Sequence, residues 1–556
     1  MAGSRAKQFA RPPPKKKPPK AASLITPDDF QSSADFEESA GGKHRVGDPQ
    51  KSARAFIRAL DIYDQGLAKH PSSFDLAYNK ARLQLEISQQ PVLVDFIGVE
   101  LLQWLELTLA SHRRALPLSA ENVDVLFNTA QVLTSLAEVL VEDGEDEGDD
   151  EEAKASKALQ EALELLSVCL SRQEVLFEQH RADFPDVEEG GVALNAEEGA
   201  AESSTPTAPS AAQEDDTDMA EATVETPVSP SDLLDTVHAS LSALTTLLPL
   251  SDHSALQDLG GMARALTEDK APTYIRLLDS TAQTPATLSL ALDRAVFIAA
   301  YANAEFEARQ LDFATYLSRL DESFSIPGKE TDASLLCAEA DARMEMVLSA
   351  LDVLGEGGGP NLPANTCWKT LSLSQELYTA ASKLETDDAK ERKAEVFKSK
   401  GDVELLRLRF TQMPGTDLSA SVRSSGPTLV KNAQTFYKGA VSHAKASGDE
   451  EVEEEAKGRW IVAGEVSRVM FGGEGSGAGQ QGGEDLLEVL EGCLAQQRPG
   501  AKGSKGQGGY CAKGRGWVAM VEPVVVKPVL KVLVVFDSVS SSFENTLSGQ
   551  SGRSDA

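Results

Sequence analysis

The sequence predicts an all-α protein in which antiparallel helix pairs stack as an α-solenoid, with an acidic linker inside the array and disordered termini. Apolar residues recur with the helical period of about 3.6 over residues 51–180 and again over residues 232–471. Short polar or proline-containing breaks separate successive helical runs. No convincing alternation typical of strands occurs before residue 472. These three observations favour stacked helix pairs over any sheet-containing fold.

The composition divides the chain into five regions. Segments rich in Pro, Ser, Gly or acidic residues cannot bury enough apolar surface to fold, whereas the periodic segments can. The Val-rich run near the C-terminus has no obvious pairing partner, and its meaning stays open. The expected regions are a disordered basic and Pro-rich N-terminus at 1–50, helical repeats at 51–180, an acidic Ser/Thr/Pro linker at 181–231, a second helical-repeat region at 232–471, and a Gly-rich, mostly disordered tail at 472–556.

The net charge of −34, from 87 acidic and 53 basic residues, indicates basic partners and disfavours direct binding to nucleic acid or anionic membranes. The first twenty residues lack the apolar core of a secretory signal. The long apolar run at 517–536 contains Glu522, Pro523 and Lys527, which a membrane span would not normally carry. We therefore expect a cytoplasmic or nuclear protein without a membrane segment.

Residues that could carry chemistry are dispersed. No two of the five cysteines have the Cys-x-x-Cys spacing of a zinc or redox site. His112 stands beside Arg113 and Arg114, so it is expected at the surface rather than as a metal ligand. The carboxylates come in runs, and the glycine-rich stretches lack the Gly-Lys-Ser/Thr end of a phosphate-binding loop. The sequence predicts no cofactor and no metal, and a protein that is not an enzyme.

Two stretches, "HPSSFDLAYNKARLQL" and "LSAENVDVLFNTAQVL", share a local pattern. Each has a short polar cap, an aromatic-Asn pair, and a small residue two positions after the Asn. The helical run before each of them spaces its residues for packing at steps of four and three. The residues predicted to pack within and between helix pairs are Ala59, Tyr63, Gly66, Pro71, Tyr78, Ala81, Ala115, Phe127, Ala130, Ala162 and Leu166.

This pattern resembles the tetratricopeptide repeat. Small residues let antiparallel helices approach closely, aromatic residues fill the neighbouring holes, and the break residue turns the chain. The aromatic-Asn pairs begin at positions 78 and 127, 49 residues apart instead of about 34. The second repeat therefore carries an extension around "SQQPVLVDFIGVE". Residues 397–440 offer a weaker pair of the same style through Phe397, Gly401, Ala433, Tyr437 and Ala440.

The resemblance implies a concave groove lined by the first helix of each pair. Within it, Asn79, Lys80, Arg82 and Asn128 are the peptide-binding candidates, since an Asn there can hydrogen-bond an extended peptide backbone. The same Asn residues could instead only cap or solvate their helices. The full basic set with which some repeats of this family clamp a chaperone's C-terminal carboxylate is missing, so that clamp is not expected.

An acidic run at 142–152 interrupts the predicted third repeat. As a solvated insertion it would do nothing, whereas as a flexible polyanion beside a groove it would neutralise a basic client such as a histone or ribosomal protein. The layout resembles that of the histone chaperones of the nuclear autoantigenic sperm protein class. The candidate acidic residues are Glu142, Asp143, Glu145, Asp146, Glu147, Asp149, Asp150, Glu151 and Glu152.

The stretch "PPPKKKPPK" has the composition of a nuclear import patch that its prolines keep extended. Its basic residues are Lys15, Lys16, Lys17 and Lys20. The alternative is a basic tail that only aids solubility.

Taken together, these features predict a non-catalytic scaffold or adaptor that binds other proteins in a repeat groove. A sharper hypothesis is an escort or assembly chaperone for a basic client. The alternative is a regulatory subunit that docks onto a larger complex through apolar helical faces. The identity of the partner and the oligomeric state are open.

Overall fold

The computed structural model describes residues 24–472 apart from 46, 144–148, 184–226, 355–361, 414 and 415. Within these residues every regular element is a helix, and the chain divides after Ala120 into two compact units. The all-α class and the packing of helices in pairs are thereby confirmed. The basic N-terminal patch and the Gly-rich and Val-rich tail lie outside the described residues.

The described residues of the first unit form five α-helices. Within it α1 packs on α2, α2 on α3, and α3 on α5. The helices are α1 (Pro27–His44), α2 (Pro49–Lys69), α3 (Phe74–Ser88), α4 (Pro91–Ile97) and α5 (Leu101–Ala115), followed by a 3-10 turn at Leu116–Leu118.

Helix α1 corrects the expectation that residues 1–50 are disordered throughout. Thr26 and Asp29 form a reciprocal capping box that starts the helix. Phe30 is buried, which contributes on the order of 2 kcal/mol. At Gly41 an added Cβ would lie 2.5 Å from the ring of Phe56 on α2, so glycine is needed for this close approach. The apolar period is weak because small residues replace large ones in this interface.

The predicted extension of the second repeat forms a helix of its own. Helix α4 lies between α3 and α5 and accounts for the 49-residue spacing. It ends at Gly98, whose positive φ of 76° is readily reached by glycine alone.

The second unit contains the remaining helices. They are α6 (Val123–Asp143), α7 (Asp149–Asp183), α8 (Pro230–Leu247), α9 (Leu256–Arg264), a π-helix (Ala265–Lys270), α10 (Ala271–Ile275), α11 (Ser280–Glu307), α12 (Phe313–Ser323), α13 (Ala333–Leu354), α14 (Ala364–Ala381), α15 (Asp387–Glu391), α16 (Lys393–Gln412), α17 (Ala420–Arg423), α18 (Gly426–Ser447) and α19 (Glu450–Phe471). The packed pairs are α6 with α7, α11 with α12, α13 with α14, and α16 with α18, and α19 packs on α18.

The expected boundary between two repeat regions falls elsewhere. Helices α6 and α7 belong to the second unit, and α7 packs on α8 across the predicted linker in sequence. The expected division at residues 181–231 was based on composition, whereas the packing is decided by the apolar faces of α7 and α8. Of that linker, residues 184–226 lie outside the described part of the chain.

The acidic run is only partly the non-helical insertion that we expected. Glu142 and Asp143 lie in the last turn of α6, and Asp149 begins α7. Carboxylates in the first turn of a helix are favoured by its dipole, which offsets part of their mutual repulsion. The structure places Asp150, Glu151 and Glu152 in that first turn as well, whereas Glu145, Asp146 and Glu147 lie outside the described residues.

Most predicted packing residues are indeed buried. The exceptions are Pro71, which lies exposed in the turn between α2 and α3, and Tyr78 and Phe127, which are half-buried. Tyr78 stacks on Phe74 of its own helix with ring centroids 5.6 Å apart. The buried members are Ala59, Tyr63, Gly66, Ala81, Ala115, Ala130, Ala162 and Leu166.

The weaker pair predicted in the second region also packs as expected. Helix α16 lies against α18, and a Cβ added at Gly401 would stand 2.4 Å from the ring of Tyr437. Gly401 therefore gives the close helix approach that a small residue gives in a helix pair.

His112 is not at the surface, contrary to expectation. It is fully buried on α5, where Nδ1 lies 3.0 Å from the carbonyl oxygen of Thr108. Desolvation lowers its pKa, so the ring is neutral at physiological pH. Its spacing of four and three residues from Thr108 and Ala115 is that of a packing position, as the sequence of the helical run before the second stretch also indicates.

Candidate protein-binding surface

The groove candidates on α3 are engaged by side chains of the first unit. The amide of Asn79 donates to Oε1 of Gln31 on α1 at 3.0 Å. Lys80 pairs with a carboxylate of α2 at 2.5 Å. The guanidinium of Arg82 donates to Glu38 on α1 at 2.5 Å. These polar groups therefore link α3 to its neighbours instead of presenting an open row of donors.

Glu38 is the centre of this network. It accepts from the hydroxyl of Tyr63 at 2.6 Å and from Arg82, which also pairs with Glu86 at 3.4 Å. Burial raises the pKa of Tyr63, and Glu38 raises it further. Burial alone would lower the pKa of Arg82, but the two carboxylates outweigh it and the pKa is raised. The surface formed by α1 and α3 is thus neutralised internally.

The fourth groove candidate lies in the other unit. Asn128 is half-buried on α6 and has an interaction with its surroundings. The structure therefore does not bring it together with the three α3 candidates in one unit. Its groove role stays a prediction.

A second surface, on α11 and α13 of the second unit, has a different charge balance. We call it the acidic face and define it by the carboxylates of Glu307, Asp341, Glu345 and Asp352. Glu307, Asp341 and Asp352 are exposed, and Glu345 is half-buried.

A hydrogen bond from a neutral side chain joins the two helices of the acidic face. The hydroxyl of Ser349 on α13 donates to Oε1 of Glu307 on α11 at 3.2 Å. Asn303 donates to the same oxygen at 3.0 Å and accepts from the hydroxyl of Tyr316 at 3.1 Å. The donors to Glu307 are thus neutral side chains.

Carboxylates of the acidic face raise the pKa of two buried tyrosines. Burial raises the pKa of Tyr316, and the charges of Glu345 and Glu307 raise it further. Burial also raises the pKa of Tyr378, whose hydroxyl donates to Asp341 at 2.5 Å. Carboxylates of the acidic face therefore lie close to a buried tyrosine of α12 and to one of α14.

Two arginines near the acidic face form ion pairs of their own. Arg343 is buried and pairs with Glu339 and Asp321, each at 2.7 Å. Arg392 is influenced by Asp341, but its main partner is Asp388 at 2.6 Å. The ion pairs of Arg343 and Arg392 are therefore made with carboxylates outside the acidic face.

The acids of α13 form a stripe along the helix. Asp341, Glu345 and Asp352 are separated by four and seven residues, which places them on one side of an α-helix. With a rise of 1.5 Å per residue, the stripe is about 16 Å long. This length matches several residues of a bound peptide.

The signal of this stripe is present in the sequence, but it is spread over several helical turns. In "ASLLCAEADARMEMVLSALDVL" the acids recur at helical spacing among buried apolar residues. The acidic run at 142–152 can be recognised in the sequence because its acids are contiguous. A stripe is contiguous only on the folded helix, so the spacing has to be converted to helical angles to find it.

No group of three or more His, Cys, Asp or Glu side chains that could hold a metal ion occurs among the described residues. Two helical segments, Val123–Val141 and Pro230–Leu250, are long and apolar enough to cross a membrane by composition. However, 56% and 61% of their windows are buried inside the protein. Such burial is typical of core helices.

No known family model matches the chain. Over 145 residues it is 34% identical to the UPF0656 protein C926.02 of Schizosaccharomyces pombe, whose name states no activity or partner. The match covers 26% of this chain and 30% of the yeast protein, so it spans less than a third of that relative.

Among solved structures, the chain is similar to a circular tandem repeat protein with novel repeat topology and enhanced subunit contact surfaces. That likeness has 12% identity and a TM-score of 0.27, and it covers 85% of this chain and 96% of the other. A TM-score this low carries no argument, so the fold class rests on the chain's own helix packing. Stacked helix pairs of this kind are consistent with a protein-interaction scaffold.

Proposed function

We propose that the protein is a non-catalytic scaffold that holds a basic segment of a client protein on the acidic face of α11 and α13. The observation that carries this role is the stripe of Asp341, Glu345 and Asp352 beside Glu307. In a chain with net charge −34, such a stripe attracts Lys and Arg side chains by charge complementarity. The surface of α1 and α3 is a weaker candidate because its ion pairs are already formed.

The escort function and the cellular location belong to the same proposal. The acidic run at residues 142–152 would add long-range attraction for a basic client, and the four lysines between residues 15 and 20 would direct the complex to the nucleus. Replacing Glu145, Asp146 and Glu147 by their amides tests the first idea without shortening α6 or α7. Slower association at low salt is expected, with little change in dissociation.

The test is the affinity of the full-length protein for a fluorescent Lys- and Arg-rich peptide, measured by anisotropy. The double variant E345Q/D352N removes two charges of the stripe and leaves the bond between Tyr378 and Asp341 in place. We expect binding to weaken by roughly tenfold, because two charge-assisted contacts are lost.

The matched control is D61N/E106Q, which removes two exposed carboxylates from the first unit. Its affinity should stay within about twofold of the unmodified protein, since exposed charges outside the acidic face make no contact with the peptide and are screened. Equal losses in both double variants would show that only net charge matters, and the assignment to the acidic face would then fail.

One observation favours the alternative of a subunit that docks through apolar helical faces. On α4, Val92 and Phe96 are 54% and 49% exposed and lie four residues apart on one side of the helix. A partner held there would be lost in V92S/F96S and retained at high salt. A client of the acidic face should be retained by V92S/F96S and lost at high salt.

A further inference from the structure

Helix α16 carries a lysine without a counter-ion. Lys400 is only 6% exposed, and in the described part of the chain its ammonium makes no ion pair. It lies instead 5.2 Å from the ring centroid of Phe397 and 4.5 Å from that of Phe436. By contrast, Lys398 on the same helix pairs with Glu395 and Glu455. Carboxylates are therefore available to a lysine of α16, but Lys400 lies against two aromatic rings instead.

The charge of another lysine acts on Lys400. Burial lowers its pKa, and the charge of Lys383 lowers it further. Burial and the charge of Lys393 lower the pKa of His443 in the same way. The carboxylate that opposes this effect on Lys400 belongs to Glu404, which is itself paired with Arg407. We call Lys383, Lys393, Phe397, Lys400, Phe436 and His443 the cationic patch.

The rings of the cationic patch are held in place by packing. Phe397 and Phe436 meet edge to face with centroids 6.4 Å apart, and His443 lies 4.9 Å from Phe397. A Cβ added at Gly439 would stand 2.6 Å from the ring of Phe397, so that ring lies directly on α18. Both phenylalanines are half-buried and keep part of their surface open to a ligand.

We propose that the cationic patch binds the carboxylates of an acidic peptide segment from a partner protein. Ammonium groups bind carboxylates by charge-assisted hydrogen bonds, and the two rings accept an apolar side chain next to the acid. A phosphate is less well matched, because α16 and α18 use their interior backbone N–H groups within the helices, whereas phosphate sites commonly draw on free N–H groups.

This site is separate from the acidic face and of opposite charge. A scaffold with both surfaces would hold a basic client on one and an acidic partner on the other. Neither surface requires the other to be occupied, so the two assignments can fail independently.

The test uses the full-length protein and a fluorescent peptide rich in Glu and Leu. K383Q/K393Q and, separately, K400M should each weaken binding, the former by roughly tenfold or more, since charge-assisted contacts are lost. The matched control K431Q/K445Q removes two exposed lysines from α18 and should leave the affinity unchanged within about twofold.

Three results would overturn the assignment. One is a native protein that does not bind the acidic peptide, and another is equal weakening in the control. The third is displacement of the peptide by inorganic phosphate at concentrations at which acetate has no effect, since that would identify a phosphate site. Because K383Q/K393Q changes residues at the rim, it keeps the test valid if K400M does not fold.

Discussion

Buried tyrosines on the second helix of a pair donate to polar side chains on the first helix in both units. In two cases the accepting carboxylate also binds an arginine of a third helix, so that both of its oxygens are satisfied and three helices are linked. Such networks are stabilising only when every member has a partner. The two triads are Tyr63, Glu38 and Arg82 in the first unit and Tyr437, Asp402 and Arg459 in the second.

Removing the arginine of the second triad should be costly. Burial raises the pKa of Asp402, and Arg459, 2.7 Å away, opposes that shift. R459M leaves a buried carboxylate without its cation, and we expect a loss of about 3 to 5 kcal/mol in the free energy of unfolding. Urea denaturation of R459M, D402N and the double variant measures the coupling.

The control for this cycle is R468M on the same helix. The side chain of Arg468 is 55% exposed, so the change should stay within about 1 kcal/mol even though Glu465 is half-buried. If R459M were as mild as R468M, the triad would contribute no more than a surface ion pair.

His112 predicts a loss of stability in acid. Its pKa is lowered in the folded state, so above the unfolded value of about 6.5 neither state binds the proton and stability is complete. As pH falls below that value, His112 binds a proton in the unfolded chain but not in the folded chain, and the free energy of unfolding declines. H112Q should reduce the drop in Tm between pH about 7.5 and about 5.5.

A matched histidine change separates this effect from general acid sensitivity. H253Q alters an exposed residue and should keep the Tm drop of the unmodified protein. An unchanged drop in H112Q would show that His112 is not the group responsible.

At the scale of a helix, glycine has opposite effects at two sites. G401A would place a Cβ 2.4 Å from the ring of Tyr437, and overpacking should destabilise by about 1 to 3 kcal/mol. G261A on α9 meets nothing within 4 Å, so it should be neutral or stabilising by up to about 1 kcal/mol. Thermal unfolding of the two variants should therefore shift Tm in opposite directions, and a shared direction would contradict the close packing of α16 on α18.

The helices that could be predicted from the sequence are those with large apolar residues on one face, such as α2. Its buried face carries Phe56, Leu60, Tyr63 and Leu67 at helical spacing. Helix α1 was missed because its interface uses Ala34 and Gly41, whose burial leaves little apolar signal. The site follows the same rule, since the contiguous acidic run was visible and the stripe on α13 appears only after folding.

At the scale of the whole molecule, the acidic face and the cationic patch should bind peptides of opposite charge. Salt should weaken both interactions. Binding of a basic peptide should weaken between about 50 mM and about 500 mM salt, because exposed charge pairs are screened. An affinity that is indifferent to this change would favour docking through Val92 and Phe96 on α4 instead.

The central claim is that a basic client lies on the acidic face. The most direct measurement is hydrogen–deuterium exchange of the full-length protein with and without the Lys- and Arg-rich peptide. We expect the peptide to slow exchange in α11 and α13. This protection should be absent in E345Q/D352N and present in D61N/E106Q. Slower exchange confined to α3, where Asn79, Lys80 and Arg82 lie, or to α4 would contradict it.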